Sequence, residues 1–217
     1  MNWVPQDVKK IAYATSFGIG SIPAKYSKIY SHYLKRINYL SARETSGQDI
    51  IKKLAGRDVQ LVNDPALLLD ADCWNEVISN EPLIKEKYVF CYFMGNNPQQ
   101  RDFVRRLANE KGLKVVALLH LDQYIATDEY YVDMAPWHVS PADFVNLVKN
   151  AECVCTDSFH GTVFSIIYSR PFFTFKRFNK KASLSTNTRI TSLLTRLGLM
   201  DLSLIHISEP TRPLYIS

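Results

Sequence analysis

A run of small polar residues around one histidine is the part of the sequence best suited to chemistry. Residues 156–165 read TDSFHGTVFS. They follow a short apolar run, 152–155, that predicts a buried strand, and they lead into 164–168, which predicts a buried helix. In an open α/β sheet, ligands bind where strands end, and the N–H groups of the next helix face an anion. We therefore interpret His160 as a candidate proton donor or phosphate partner.

The residues around His160 also have structural interpretations. His160 itself could be hydrogen-bonded at the start of the helix. Ser158 and Asp157 could cap a helix that starts near Gly161, because short polar side chains accept bonds from the first free N–H groups. Gly161 would let the backbone approach a ligand or the neighbouring strand closely.

Three arginines are candidate anion ligands. Arg43 ends a predicted strand beside Glu44, Arg189 opens the last predicted helix, and Arg177 lies in a basic loop. A guanidinium binds phosphate or carboxylate through two parallel hydrogen bonds. The alternatives are an ion pair of Arg43 with Glu44 or another carboxylate, a surface or interdomain contact of Arg189, and a solvated loop for Arg177.

The predicted elements alternate between strand and helix. From residue 88 onward the order is β, α, β, α, β, α, β, α, which predicts a parallel, doubly wound sheet. Residues 1–80 also alternate and resemble the second half of another such domain, with Ser16 and Gly18 ending its first strand and lining a cleft. In residues 24–37 the apolar positions recur every three or four residues, which predicts an amphipathic helix facing a core.

Composition restricts the functional classes. Of the 217 residues 47% are hydrophobic, and the net charge of +5 comes from scattered Lys and Arg, so nucleic acid is not a predicted partner. The four cysteines form no CxxC pair, which favours free thiols in a reducing cytoplasm. No apolar run is long enough to span a bilayer. GxGxxG, GxxxxGK[ST] and HExxH motifs are lacking, and no metal is predicted.

Aromatic residues are frequent between residues 124 and 137. They include Tyr124, Tyr130, Tyr131 and Trp137. This segment could form a surface on which a sugar stacks, or it could supply aromatic side chains to the core. The sequence leaves both interpretations open.

Read in order, five motifs resemble the polysaccharide pyruvyl transferase family. They span about residues 8–200, and their order along the chain is more specific than any one of them. The motifs are YATSFG at 13–18, SARE at 41–44, DPALL at 64–68, TDSFHGT at 156–162, and NTRI at 187–190 followed by Leu193 and Leu194.

The resemblance implies an α/β fold with two Rossmann-like domains similar to glycosyltransferase type B. Members transfer pyruvyl from phosphoenolpyruvate to hydroxyls of a cell-surface sugar as a ketal, without a cofactor. His160 would be catalytic. The substrate-binding residues would be Ser16, Gly18, Arg43, Ser158, Gly161, Arg177 and Arg189. A nucleotide-sugar glycosyltransferase, or an inactive fragment of either enzyme, is the alternative, and a peripheral association with the membrane and its glycan-assembly enzymes is left open.

Two features depart from the family pattern. Family members begin with an earlier strand and glycine-bearing loop, so residues 1–80 are predicted to be the C-terminal part of an incomplete first domain, and 81–201 the second domain. Residues 202–217 resemble a translated sequencing adapter. Their Pro210 and Pro213 predict a poorly packed, non-native tail in which His206 has no function. We expect this chain alone to have little or no activity.

Overall fold

The computed structural model describes residues 4–120, 124–177 and 188–200, together with the backbone of residues 203 and 204. The chain divides into two compact units. The first comprises Met1–Leu69 and Phe178–Met200, and the second comprises Asp70–Arg177 and Asp201–Ser217. The structure thus divides the chain earlier than residue 80, and it assigns the last helix to the first unit.

The first unit is a three-stranded parallel sheet with helices packed on it. Its strands are β1 (Ile11–Thr15), β2 (Tyr39–Ala42) and β3 (Gln60–Leu61), in the order β1-β2-β3. Its helices are α1 (Ser27–Lys35), preceded by the 3-10 turn Ala24–Tyr26, α2 (Thr45–Ala55) and α8 (Thr188–Leu197). The core consists of Leu34, Ala42 and Ile51, against which Phe17, Leu40, Leu54 and Val59 pack. The apolar periodicity of α8 predicts Ile190, Leu193, Leu194 and Leu197 as inward; the first three are buried, whereas Leu197 at the end of the helix is exposed.

The predicted inward face of α1 is only partly buried. Leu34 packs into the core, whereas Tyr26, Ile29 and Tyr30 are exposed. Periodicity identifies an apolar face of a helix, but the neighbouring elements decide which part of that face is covered.

The second unit is a five-stranded parallel sheet in the order β5-β4-β6-β7-β8. Its strands are β4 (Tyr88–Tyr92), β5 (Lys114–Leu118), β6 (Cys153–Thr156), β7 (Phe172–Phe175) and β8 (Ser203–Leu204). Its helices are α3 (Ala71–Asn75), α4 (Pro98–Lys111), α5 (Asp128–Tyr131), α6 (Pro141–Asn150) and α7 (Phe159–Ile167). The predicted alternation of strand and helix is confirmed for this unit.

Two neighbouring strands of this sheet, the inner strand β4 and the edge strand β5, are buried on both faces. Residues 88–91 of β4 and 115–117 of β5 are fully inaccessible, as the continuous apolar runs predict. Cys91, Cys153 and Cys155 are buried free thiols, and Cys73 is exposed. Burial raises the pKa of the Cys91 and Cys155 thiols well above the ordinary value, so these thiols are protonated in the folded protein.

The short strand β8 lies within the predicted tail. Ser203 and Leu204 pair with Thr174 and Phe175 of β7, so these two residues extend the sheet, although the whole tail was expected to lie outside the fold. An edge strand offers free N–H and C=O groups to any extended segment, which is a sufficient reason for this pairing. The rest of the tail, including His206, lies outside the described residues.

An ion pair lies inside the second unit. Arg101 of α4 is 2% exposed, and its Nε donates a hydrogen bond of 2.8 Å to Oδ1 of Asp128, which is itself buried. The guanidinium also lies over the rings of Phe93 and Tyr131, at 5.1 and 5.8 Å from their centroids. The periodicity of α4 predicts Phe103, Val104 and Leu107 as buried and gives no reason to expect a buried arginine.

Helix α6 begins with the cap that the sequence predicts. The Ser140 Oγ accepts a hydrogen bond of 3.1 Å from the Asp143 N–H, and Asp143 Oδ2 accepts one of 3.0 Å from the Ser140 N–H. The hydrogen bonds from the Ser140 side chain and backbone lower the pKa of the Asp143 carboxyl. Pro141 occupies the first helical position, where its missing N–H costs nothing.

Replacing this cap is expected to destabilise the protein in a pH-dependent way. Ser140→Ala should lower the free energy of unfolding by about 1 kcal/mol. Because the pKa of Asp143 is lower in the folded than in the unfolded chain, its contribution is complete above about pH 4 and is lost as the pH falls through the folded pKa. Urea unfolding at several pH values checks this. The difference in unfolding free energy between Ser140→Ala and the parent should shrink below about pH 4. Ser21→Ala, at an exposed position, should show no such difference.

Candidate functional site

From the end of β6 through the first turn of α7, every residue from 156 to 162 except one is buried. Thr156, Asp157, Ser158, Phe159, Gly161 and Thr162 are all buried. His160, the second residue of α7, is exposed. Its ring packs edge-on against Phe159, with centroids 5.4 Å apart. This segment thus presents one imidazole outward.

A chain of hydrogen bonds fixes this loop. Thr156 Oγ1 donates to the Tyr92 carbonyl at 2.6 Å and accepts from the Ser158 N–H at 3.0 Å. The Ser158 side chain accepts from the Gly161 N–H at 3.4 Å, and Thr162 Oγ1 donates to the Ser158 carbonyl at 3.0 Å. Ser158 therefore caps α7, as predicted, and its substrate-binding role stays a prediction.

Gly161 is required by close packing against the preceding strand. A Cβ at this position would lie 2.6 Å from Thr156 Oγ1, which is shorter than real Cβ contacts allow. Thr156 cannot easily move, because its hydroxyl makes the two bonds described above. Of the two interpretations of Gly161, the structure confirms the close approach to a strand.

Asp157 does not cap α7 but holds the loop after β4. Its carboxylate accepts hydrogen bonds from the N–H groups of Met94, at 2.7 Å, and Gly95, at 2.9 Å. The prediction that Asp157 caps the helix is therefore wrong, because the adjacent loop supplies the free N–H groups that it satisfies. Burial raises the pKa of Asp157, while these N–H groups and the Arg177 guanidinium oppose that shift.

Arg177 lies against the same loop. Its Nε is 3.7 Å from Asp157 Oδ1, and its guanidinium donates to the Asp157 carbonyl at 3.3 Å and contacts the Met94 sulfur at 3.0 Å. The side chain is only 15% exposed, so it does not extend from a solvated loop. Arg177 and His160 thus follow neighbouring strands, and Asp157 links their loops.

Two cavities open at the carboxyl ends of the strands of the second unit. The larger, of about 880 Å³, is lined by His160 and Ser158 and by mostly apolar side chains of α6 and α7. The smaller, of about 470 Å³, is lined by His120, Trp137 and His138, among others. The two share a wall formed by Tyr92, Met94, Leu118 and Val139. His160 therefore faces a space large enough for a small-molecule substrate.

In the first unit, Ser16 and Gly18 are bound to a buried carboxylate. Glu44 is completely inaccessible, and its Oε1 accepts from the Ser16 hydroxyl at 3.0 Å, the Phe17 N–H at 2.8 Å and the Gly18 N–H at 3.1 Å. Gly18 has a φ of 67°, which favours glycine. These bonds organise the loop after β1, and the predicted contacts of Ser16 and Gly18 with substrate stay predictions.

Arg43 pairs with Asp64 and not with Glu44. Its guanidinium makes an ion pair with Asp64 Oδ2, and the Arg43 side chain is 16% exposed. Asp64 Oδ1 also accepts from the Ala66 N–H at 3.0 Å, which confirms Asp64 as the residue that starts the turn Pro65–Leu68. The ion-pair interpretation of Arg43 is therefore confirmed, and its contact with substrate stays a prediction.

The predicted site residues fall into two groups. Ser158, His160, Gly161 and Arg177 surround the Asp157 loop of the second unit. Ser16, Gly18 and Arg43 belong to the first unit, as does Arg189 in the first turn of α8. Asn187 of the last motif lies outside the described residues.

Sequence reasoning missed His120 and His138 as cavity residues. His120 follows β5 after one residue, and the rule that places ligands at the carboxyl ends of parallel strands could have identified it. His138 has no comparable pattern, because the chain around it is irregular. Within the described residues, no three His, Cys, Asp or Glu side chains are grouped as a metal site. None of the described helices has the length and hydrophobicity that a bilayer crossing requires.

Comparisons with solved structures give distant matches. Wall teichoic acid polymerase TagF is 17% identical over 87% of this chain and 51% of its own, with a TM-score of 0.45. A UDP-GlcNAc 2-epimerase from Methanocaldococcus jannaschii is 12% identical over 76% of this chain and 55% of its own, with a TM-score of 0.46. The E. coli heptosyltransferase WaaC is 10% identical over 75% of this chain and 60% of its own, with a TM-score of 0.38. This chain thus spans between 51% and 60% of their lengths.

Comparisons by sequence give one clear result. No curated protein matches the chain. The family model for polysaccharide pyruvyl transferase matches residues 1–177. This range includes β1, the loop after β1 that Glu44 holds, the turn that Asp64 starts, and residues 156–162 around His160. The chain belongs to the polysaccharide pyruvyl transferase family.

Proposed function

We propose that the protein transfers the pyruvyl group of phosphoenolpyruvate to hydroxyls of a cell-surface sugar, and that His160 transfers the protons. The observation that carries this proposal is the exposure of His160 alone in an otherwise buried loop, on the wall of a cavity of about 880 Å³. Family membership supplies the reaction class. The complete protein would have two Rossmann-like domains of glycosyltransferase type B and would act in the cytoplasm, where its thiols stay reduced.

The reaction needs a group that both accepts and donates a proton. The methylene carbon of phosphoenolpyruvate must gain a proton, and the neighbouring carbon forms bonds to two sugar oxygens as phosphate leaves. The two hydroxyls release two protons, of which one is taken up by the methylene carbon and the other leaves with phosphate. Histidine suits this exchange because imidazole changes its protonation near neutral pH.

The donor carries a phosphate and a carboxylate, and the site must offset both charges. The amino-terminal end of α7, where His160 lies, favours an anion through the helix dipole. Arg177 follows β7 and lies 3.7 Å from Asp157 Oδ1, and its planar guanidinium suits either group of the donor. We propose Arg177 as the cation for the donor in the second unit, where Ser158 and Gly161 would shape the loop around it. In the first unit, we propose Arg43 and Arg189 as further anion ligands, with Ser16 and Gly18 shaping the loop after β1.

One observation favours a second candidate. The cavity of about 880 Å³ beside His160 is mostly apolar and larger than phosphoenolpyruvate requires. A nucleotide-sugar would use such a volume, so a glycosyltransferase that takes a nucleotide-sugar donor is the alternative function.

Ligand-dependent thermal unfolding separates the two functions. Ligands that bind only the folded state stabilise it, by about 2.7 kcal/mol at a concentration one hundred times Kd. We expect phosphoenolpyruvate to raise the Tm of the chain more than inorganic phosphate does, and uridine diphosphate to have no effect. Stabilisation by uridine diphosphate, with none by phosphoenolpyruvate, would contradict the pyruvyl transferase proposal and support the alternative.

A further inference from the structure

The smaller cavity has a composition that suits a neutral, polyhydroxylated ligand. None of the described residues that line it is Lys, Arg, Asp or Glu. A donor with a phosphate and a carboxylate would find no compensating cation among these residues, and buried charges without partners are costly. The polar side chains of the lining include His120 and His138. Imidazole nitrogens can both donate to and accept from hydroxyl groups.

Trp137 gives this cavity an aromatic surface that the core does not use. Its side chain is 71% exposed, although it lines the cavity, whereas Tyr131 of the same segment is 4% exposed and packs in the core. The aromatic segment thus divides into a core residue and a solvent-facing ring. A large aromatic ring that remains exposed beside a cavity can bury much area on binding at little entropic cost.

The backbone beside Trp137 adopts an uncommon conformation. His138 has a φ of 57°, in the left-handed region that few residues other than glycine adopt. Such conformations persist where surrounding structure holds them, and they are concentrated at ligand sites. Here Trp137 and His138 both line the cavity.

The smaller cavity adjoins the space faced by His160. Tyr92, Met94, Leu118 and Val139 line both cavities, so a ligand in one lies beside a ligand in the other. The volume of about 470 Å³ is within the range of small-molecule sites and suits a mono- or disaccharide.

We infer that the cavity lined by Trp137, His138 and His120 is the acceptor subsite, in which a neutral pyranose stacks its C–H face on the Trp137 indole. The two histidines would bind its hydroxyls, and the sugar would extend toward His160 across the shared wall. This inference rests on the proposed function for the direction of transfer. Binding of a sugar in this cavity, however, does not require phosphoenolpyruvate.

Ligand-observed NMR titration of the full chain tests the inference. The probes are methyl β-galactoside, N-acetylmannosamine and uridine diphosphate, each added without phosphoenolpyruvate. We expect at least one of the sugars to bind, with a Kd that rises about tenfold in Trp137→Ala. Trp137→Phe, which keeps an aromatic face, should recover part of that loss. The matched control is Tyr130→Ala, because Tyr130 is 81% exposed in the same segment but is not part of the cavity lining, and it should leave the Kd unchanged.

Three outcomes would overturn the inference. They are an unchanged sugar Kd in Trp137→Ala, the absence of sugar binding to the parent chain, and Trp137-dependent binding of uridine diphosphate in place of the sugars. Failure of the proposed function is distinguishable from these, because sugar binding that depends on Trp137 can occur even if phosphoenolpyruvate neither binds nor reacts.

Discussion

His160→Ala is expected to lower acceptor-dependent phosphate release from phosphoenolpyruvate by about 10²- to 10⁴-fold, the usual contribution of a general acid or base. The physical reason is that imidazole moves protons between the sugar hydroxyls and the methylene carbon. Because His160 is exposed, the free energy of unfolding of His160→Ala should differ from that of the parent by no more than about 0.5 kcal/mol. Single-turnover assays with protein in excess of donor, together with urea unfolding, measure both effects.

The control for this variant is His32→Ala. His32 is an exposed histidine of α1 in the first unit, so its replacement tests whether any loss reflects a general effect of removing imidazole. Equal release by the parent and His160→Ala would remove His160 from the mechanism. A large fall in stability of His160→Ala would assign the side chain a structural role, which was the alternative interpretation of the sequence.

Arg101→Ala is expected to be the most destabilising single change considered, at about 3–5 kcal/mol. Removal of the guanidinium leaves the buried Asp128 carboxylate without its partner, and it removes packing against Phe93 and Tyr131. Urea denaturation measures the loss. Arg106→Ala on the exposed side of the same helix is the matched control and should change stability by no more than about 0.5 kcal/mol.

A double variant distinguishes the buried charge from the lost packing. Arg101→Met combined with Asp128→Leu removes both charges and should recover most of the stability, since apolar pairs often replace buried ion pairs without loss. If the double variant were as unstable as Arg101→Ala, then packing geometry and not the unpaired carboxylate would explain the effect.

Local patterns predict the elements of this fold well. Ser140 as the cap of α6, Gly112 and Gly198 at helix ends, and the apolar runs of β4 and β5 all follow from the residue and its near neighbours. The position of His160 just after a buried strand follows in the same way, although the helix begins at Phe159 and therefore includes His160. Each of these features depends on hydrogen bonds or periodicity within a few residues, and the sequence shows those directly.

Partners that are distant in sequence explain what local patterns missed. Asp157 accepts its hydrogen bonds from residues 94 and 95, Glu44 accepts from the loop after β1, and Arg101 pairs with Asp128. No pattern in the sequence pairs these residues, because each contact is created by the way elements distant in sequence pack together. For the same reason, the sequence of residues 124–137 does not predict that Trp137 lines a cavity while Tyr131 is buried.

The most direct test of the account uses isotope-labelled phosphoenolpyruvate and a sugar acceptor with the chain in excess. The account predicts that the label appears on the sugar as a ketal, with one phosphate released per ketal, and that His160→Ala forms none in the same time. Label that stays in phosphoenolpyruvate or appears only as free pyruvate, with no dependence on the acceptor, would contradict the account.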